Sequence, residues 1–326
     1  MKKKILIIGF GSIAKKLLKF LKKNINCEIA ILRTSKKNSE QVGCNFFFKD
    51  NDALKFNPDY IFICSTANLH SFYFKKFKKL KANIFIEKPL LFKKDQIKHF
   101  EKYKYNSVVG YFLRFHPAII YLKNFIKKNI SKVRIVNLEA GYDVRKWRPN
   151  RKLDTTASTN KNLGGGALLE LSHEIDIATW LFGYPSEIFC EQQKLSNLKS
   201  DVDDFTKIIL NYKRRKTSIL INLDLLQNKY SRSIKIILDN MVINFDYIKN
   251  QILLHKNKKT KKINFKFDLN DIYEKQIYFF LNRFKRNDKN IYNKYSDIIS
   301  SVKLSKLLFQ LSESSRLKKK LKFKLS

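Results

Sequence analysis

Ile5-Leu-Ile-Ile8 runs straight into Gly9-Phe-Gly11-Ser12-Ile13-Ala14, and an amphipathic run follows through Leu21. An apolar strand, a glycine turn and a helix opening at Ser12 form an element whose backbone N–H groups and positive helix end can hold a pyrophosphate. The small residues have separate duties. Gly9 lets the chain turn, Gly11 lets a phosphate approach backbone with no Cβ in the way, and Ala14 lets the helix sit close on the strand. A buried strand and glycine turn also open α/β domains that bind no nucleotide, so the surrounding chain decides the reading.

Up to about residue 111, strands and helices alternate at the spacing of βαβ units, which predicts a parallel sheet with helices on both faces. The expected strands are 4–8, 28–32, 45–48, 59–64, 83–86 and 107–111. The second, Glu28-Ile-Ala-Ile-Leu32, ends in Arg33-Thr34-Ser35-Lys36. No carboxylate stands there to accept from a ribose 2′-hydroxyl, whereas a guanidinium and hydroxyls suit a 2′-phosphate. This favours NADP(H) and leaves NAD(H) open, since any loop of so basic a chain carries cations. After the fourth strand comes Ser65-Thr66-Ala-Asn68-Leu-His70, with Asn68 as the expected N-cap of the next helix and His70 as a partly exposed residue of its first turn. The fifth strand ends in Glu87-Lys88-Pro89. Proline stops the ladder and disfavours helical geometry at the lysine, so Lys88 sits extended at the ligand-binding edge of the sheet. There it can bind a substrate hydroxyl or relay its proton, although Glu-Lys-Pro at a strand end also occurs as a surface ion pair.

The chain has 326 residues, enough for two domains, and 44% are hydrophobic. The formal charge of +39, from 67 Lys+Arg against 28 Asp+Glu, raises nucleic acid or an anionic membrane as partner. The lysines recur on nearly every expected helix, not in one stripe, and accompany an excess of Asn, Ile, Phe and Tyr. That distribution fits a codon bias better than selection for a polyanion, so no specific nucleic-acid partner is expected. The four cysteines, Cys27, Cys44, Cys64 and Cys190, form no CxxC and no cluster with histidine. Neither a disulfide framework nor a zinc site is suggested, and a cytoplasmic setting is expected. The apolar runs are of strand length, so no membrane span is expected, and the start does not read as a signal peptide.

In the second half, Gly164 to Gly166 supply a flexible entry, and Leu168, Leu169 and Leu171 supply burial. His173 then sits among Glu170, Glu174 and Asp176, an arrangement suited to general acid/base work or to a hydrogen-bonded core histidine. Between the halves, Gly141-Tyr-Asp-Val-Arg145-Lys-Trp147-Arg148-Pro follows a strand-like run, 133–140. Trp147 offers a face for a sugar ring, and Arg148 or Arg145 an anion partner. Asp201, Asp203 and Asp204 read as turn and cap residues. Runs at 187–192, 205–212, 217–225, 233–238 and 241–245 read as strands of one largely antiparallel sheet with a hairpin at Asp239-Asn240. Helices are expected over 270–287 and 294–316, and the basic end reads as a solvated tail or a final strand.

Gly9-Phe-Gly11-Ser-Ile-Ala14, Ser65-Thr-Ala-Asn68-Leu-His70, Glu87-Lys88-Pro89 and Tyr111-Phe-Leu-Arg114-Phe-His-Pro117 stand in the order and spacing of the glucose-fructose oxidoreductase, inositol dehydrogenase and MocA family (Gfo/Idh/MocA). Gly164-Gly-Gly-Ala-Leu-Leu-Glu-Leu-Ser-His173-Glu-Ile-Asp176 and Trp180-Leu-Phe-Gly183 resemble its glycine-rich loop and substrate helix. The resemblance spans nearly the whole chain. It implies an α/β Rossmann dinucleotide-binding domain, 1–117, and an α+β substrate and oligomerisation domain with a large, mostly antiparallel open sheet, 118–326. It further implies an NAD(P)-dependent dehydrogenase or reductase acting on CH–OH groups of a sugar, sugar nucleotide or polyol. By this resemblance the cofactor residues are Gly9, Gly11, Ser12, Ile13, Arg33, Thr34, Ser35, Ser65, Thr66, Asn68, Glu87 and Lys88, and the substrate residues Arg114, Trp147, Arg148 and Asp176. Lys88 and His173 match the family's catalytic lysine and histidine. Many members place an aspartate four residues before that histidine; here the position is Leu169, and Glu170, three residues before, is its stand-in. The Trp-Arg-Pro run is similar to members encoded with surface-sugar biosynthesis. A homo-oligomer, dimer or tetramer, through the C-terminal sheet is implied. Two other classes stay open: a non-catalytic NAD(P)-binding sensor or scaffold, and a basic RNA- or membrane-associated protein.

Overall fold

A computed structural model describes residues 2–34, 43–100, 107–147, 153, 156–283 and 296–325. The chain divides into two compact units, one of Met1–Tyr111 with Tyr273–Val302, the other of Phe112–Ile272 with Lys303–Ser326.

The first unit runs β1 (Lys3–Ile8), α1 (Ser12–Asn24), β2 (Cys27–Leu32), β3 (Asn45–Phe47), α2 (Asp50–Lys55), β4 (Tyr60–Ile63), α3 (Ala67–Phe77), β5 (Asn83–Ile86) and β6 (Ser107–Val109). All six strands pair in parallel, in the order β3-β2-β1-β4-β5-β6. The chain reverses its direction of sheet growth between β1 and β4, so the carboxyl ends of those strands flank the crevice where ligands of doubly wound sheets bind. The four-residue apolar runs of β1 and β4 are buried throughout, as strands covered on both faces must be.

The second unit contains α4 (Pro117–Asn129), β7 (Val133–Gly141), α5 (Val144–Trp147), α6 (Ala167–Glu170), α7 (His173–Phe182), β8 (Glu187–Gln193), β9 (Phe205–Tyr212), β10 (Thr217–Asp224), β11 (Ser231–Leu238), β12 (Met241–Asp246), β13 (Gln251–Lys256) and β14 (Lys259–Asn264). Two helices, α8 (Leu269–Arg283) and α9 (Ile298–Leu317), and the short β15 (Leu321–Lys322) complete the chain. The nine-stranded sheet is ordered β14-β13-β12-β11-β7-β10-β9-β8-β15, antiparallel except where β10 meets β7. Alternation is strict: in β10, Thr217, Ile219, Ile221 and Leu223 are buried while Ser218, Leu220, Asn222 and Asp224 are partly exposed. One face therefore belongs to the core and the other carries a mixed polar and aliphatic surface. β14 is exposed along nearly its whole length and carries Lys259, Lys261 and Lys262.

The two compact units meet at 111/112, against the expected division at residue 117, and the first also takes in 273–302. Most of α8 belongs to the first unit, where Ile277, Phe280 and Leu281 join the cluster of Ile5, Ile7, Phe62 and Phe85. The Phe280 ring lies 5.1 Å from Phe62 and 5.6 Å from Phe85, and Tyr60 Oη donates to Leu281 O at 3.1 Å. The tail strand is real but short, since Leu321 pairs with Ile188.

His116 begins α4, its Nδ1 accepting from Ala118 N at 3.1 Å, with Pro117 in the first turn where proline fits best. An accepting Nδ1 puts the proton on Nε2, which is buried near the rings of Phe245, Tyr247 and Phe267 without a hydrogen-bond partner among the described residues. Burial first, and the Arg232 guanidinium second, push the imidazole down to about 3. The unfolded chain then takes up a proton below about 6.5 that the native state refuses, so this group's stability is complete above that pH and falls away with acid. His116→Phe keeps the aromatic fit and loses the cap, costing about 1 kcal/mol at pH 7. The drop in unfolding free energy between pH 7 and pH 4.5 is expected to shrink by roughly 2 kcal/mol in this variant. An unchanged drop in denaturant titrations at the two pH values contradicts the account.

Candidate functional site

One group of candidate residues follows the carboxyl edge of the parallel sheet in the first unit. Gly9 has φ +89°, and its N–H donates to Leu32 O at 2.9 Å, tying the turn to the end of β2. A Cβ at Gly9 would stand 2.9 Å from Cys64 O and 3.0 Å from Ser65 N, so only glycine fits between β1 and the end of β4. A Cβ at Gly11 would meet no atom of the described residues within 4 Å, so nothing among them fills the space before α1. Gly11 occupies the N-cap, Ser12 and Ile13 start α1, and no side chain caps those first N–H groups. Ala14 is fully buried on the strand side. This cradle fits a pyrophosphate.

Arg33 follows β2, its N–H donating to Phe47 O at 3.0 Å. Its guanidinium carbon lies 5.5 Å over the Phe10 ring, and its Nη1 is buried without a hydrogen-bond partner among the described residues. Thr34 is exposed beside it, and Ser35 lies outside the described residues. At the end of β4 the helix begins two residues earlier than the sequence suggests. Thr66 takes the N-cap of α3, and Asn68, inside the helix, accepts from Thr66 Oγ1 at 2.7 Å. Ser65 Oγ contacts Thr66 O at 3.4 Å. His70, expected to be partly exposed, is fully buried.

After β5, Glu87 N–H donates to Ile63 O at 2.9 Å, and Lys88 is partly buried. Burial pushes the Glu87 carboxyl up to about 7, against the opposing pull of the Lys88 ammonium and a hydrogen bond from the Lys88 backbone. Gly110 backs this carboxyl so closely that a Cβ there would lie 2.9 Å from Oε2. Tyr273, on α8, feels Glu87 and Cys64; burial first and then those neighbours hold its phenol well above its usual range. Gly110 and Tyr273 are additions that sequence reading missed. The first is signalled only by lying just past β6, and the second only by an aromatic in a helix assigned to the other unit.

A second group of candidate residues is on α6 and α7, in the other unit. The glycines before it serve close packing, not the flexible entry expected of them. A Cβ on Gly165 would fall 2.5 Å from Ala157 O, and one on Gly166, whose φ is +107°, 2.2 Å from Asp203 Oδ1. Asp203 accepts from Leu168 N at 3.0 Å and from Thr206 Oγ1 at 2.6 Å, and Asp204 from Leu195 N at 2.7 Å. Those aspartates are thus caps, and no group of three or more potential metal ligands occurs among the described residues. His173, 5% exposed, is the first residue of α7 and meets the Phe112 ring edge-on at 4.7 Å. Glu170 ends α6, so it and His173 are not on one continuous helix as the three-residue spacing suggested. Glu174 pairs with Arg232 at 2.7 Å, a buried ion pair that sequence reading did not find, because Arg232 is the second residue of β11 and only its place on the face continued by Ile234 and Ile236 signals burial.

Arg114 and Asp176, read as substrate residues, are paired with each other. Arg114 Nε donates to Asp176 Oδ2 at 2.9 Å and Nη2 to Oδ1, with the side chains 5% and 1% exposed. Both heads are engaged with each other, and they brace α7 against the turn Phe112–Phe115. Trp147 is 53% exposed, with its ring 4.5 Å from that of Tyr142. Arg145 forks onto Asp143 at 2.8 Å through both Nε and Nη2. Arg148 lies outside the described residues. Among the described residues no helix is long and apolar enough to cross a membrane.

Residues 3–107 match the family profile for an oxidoreductase family with an NAD-binding Rossmann fold, GFO_IDH_MocA. Residues 127–243 match the profile of the GFO/IDH/MocA C-terminal domain. No curated protein matches the chain by sequence. Among solved structures, the WlbA dehydrogenase from Bordetella pertussis in complex with NADH and UDP-GlcNAcA is similar over 100% of both chains, with TM-score 0.81 and 16% identity. Levoglucosan dehydrogenase in complex with NADH and levoglucosan is similar over 99% of both chains, with TM-score 0.81 and 14% identity. At such identities the likeness is one of fold.

Proposed function

The chain belongs to the Gfo/Idh/MocA family of oxidoreductases with an NAD-binding Rossmann domain, and from that premise we propose that it moves hydride between a nicotinamide and a hydroxyl- or carbonyl-bearing carbon of a sugar or sugar derivative. What carries this reading is the sheet edge, where the Gly9 turn, Arg33, Ser65–Asn68 and Glu87–Lys88 all follow the carboxyl ends of strands. The cofactor, when bound, supplies the hydride at its nicotinamide C4. Lys88 is assigned to the reacting oxygen and His173 to its proton, with Glu170 as a supporting carboxylate. The sugar class is supported by the sugar ligands of the two dehydrogenases of the same fold. The exposed Trp147 supports it too, because an indole face suits a sugar ring. For a homo-oligomer the open sheet face is the proposed contact, its centre formed by Ile209, Leu220 and Asn137 in register across β9, β10 and β7.

NADP(H) is the proposed cofactor, because the Arg33 guanidinium, just past β2, has a buried donor with no partner among the described residues, and a 2′-phosphate would accept from it. In fluorescence titrations NADPH is expected to bind about tenfold or more tighter than NADH, and Arg33→Asp to reverse the order. Equal affinities, or a ratio unmoved by the substitution, would remove the NADP assignment. With saturating cofactor, a panel of free sugars, sugar nucleotides and uronic acids is then followed at the nicotinamide absorbance band. No change with any member counts against the dehydrogenase reading, and light scattering on the same sample reports the assembly.

A further inference from the structure

His70 has a bonding problem that its surroundings do not let it solve. On the first turn of α3, its ring is fully buried, with Nδ1 2.9 Å from Pro89 O and Nε2 3.1 Å from Ser65 O. Both neighbours are carbonyl oxygens, which only accept, and a neutral imidazole has a single N–H. An imidazolium would satisfy both. Burial, despite those two carbonyls, holds the ring down at about 4, and the Lys88 ammonium pushes the same way, so near neutrality one contact is a hydrogen bond and the other sets a lone pair against an oxygen.

The two carbonyls are not arbitrary. Ser65 lies just past β4 and Pro89 just past β5, adjacent parallel strands whose ends pair as Ile63 and Ile86. Among the described residues the last backbone bond between these strands is the one from Glu87 N–H to Ile63 O, and past it both loops lie against the same ring. His70 is under both. Pro89 has no N–H of its own to anchor it, and its nitrogen is bonded directly to Lys88. We propose that His70 is the positioning residue of Lys88: with its proton on Nδ1, it donates to Pro89 O and fixes the backbone from which the lysine side chain departs. The Pro89 contact is the shorter of the two, 2.9 Å against 3.1 Å, and both lie in the range of a donated bond. The Ser65 contact is then the repulsive one, which leaves the Ser65–Asn68 turn free to adjust as a ligand enters. This proposal rests on the assignment of Lys88 to the reacting oxygen.

Two measurements test it. The chain has five histidines, so the imidazole nitrogens of 15N-histidine-labelled protein are resolvable, and His70→Phe identifies the His70 signals. The expected pattern is a pyrrole-type Nδ1 and a pyridine-type Nε2; the opposite tautomer overturns the proposal, and this holds even if H70F does not fold, since His70→Gln then supplies the assignment. In kinetics, H70F is expected to lower kcat about ten- to a hundredfold with the sugar KM and cofactor Kd within about threefold, the cost of a displaced catalytic group. Because His70 acts through Lys88, H70F added to K88M is expected to slow the enzyme by less than about twofold further. A slow K88M on which H70F still exerts its full effect overturns the proposal alone. A K88M enzyme of undiminished turnover overturns the Lys88 assignment, and the proposal with it.

Discussion

Lys88→Met is expected to lower turnover roughly a hundredfold or more while leaving cofactor affinity within about threefold, the range spanned by loss of a general acid/base group. Methionine keeps the length and apolar stem of lysine, so the strand end and its hydrogen bond from Glu87 N–H to Ile63 O need not change. What disappears is the ammonium that opposes the burial of the Glu87 carboxyl. In the variant that carboxyl is pushed further above its usual range, so no negative charge is released to take the lysine's place. Steady-state kinetics with saturating cofactor, together with fluorescence titration of the cofactor, separates the two effects. Turnover within a factor of two of the parent protein refutes the role of Lys88.

The second large effect is on stability. Arg114→Met is expected to destabilise the protein by roughly 3–5 kcal/mol, because Asp176 would be left buried without its bidentate partner. Asp176 is already held above its usual range, by burial first and against the Arg114 guanidinium. Losing that guanidinium removes the chief compensation and also the cation that lies 5.5 Å over the Trp180 ring. The melting temperature should fall by on the order of 10 °C. Adding Asp176→Leu to the variant is expected to recover most of the loss, since a matched apolar pair avoids the desolvation cost altogether. A thermal shift of less than about 2 °C for R114M contradicts the structural assignment of this pair.

Much of the first sheet was legible in the sequence because its signals are local. A four-residue apolar run before Gly9, and another before Ser65, name strands whatever surrounds them. The glycine cradle was legible for the same reason. His70 was not, because its burial depends on a carbonyl nineteen residues further along and on a loop that only the pairing of β4 with β5 brings near. Nor was the return of α8 to the first unit, where Phe280 fits among Tyr60, Phe62 and Phe85. Its amphipathic pattern says that a face is buried and is silent on which sheet buries it. The pairing of Arg114 with Asp176 was not legible either: the two stand 62 residues apart, and only three-dimensional packing reveals that each neutralises the other. The hairpin of β13 and β14 went unread because Lys259, Lys261 and Lys262 mask the strand pattern.

Those same lysines have a consequence for the life of the molecule in a crowded solution. An open sheet ends in backbone groups ready to accept another chain, and this is the step from which fibres grow. On the outer strand of this sheet, any approaching copy meets a row of ammonium groups and would have to strip their water and bring like charges together before its first backbone bond could form. A composition that looks like a by-product of codon usage therefore insulates the most vulnerable rim of the fold.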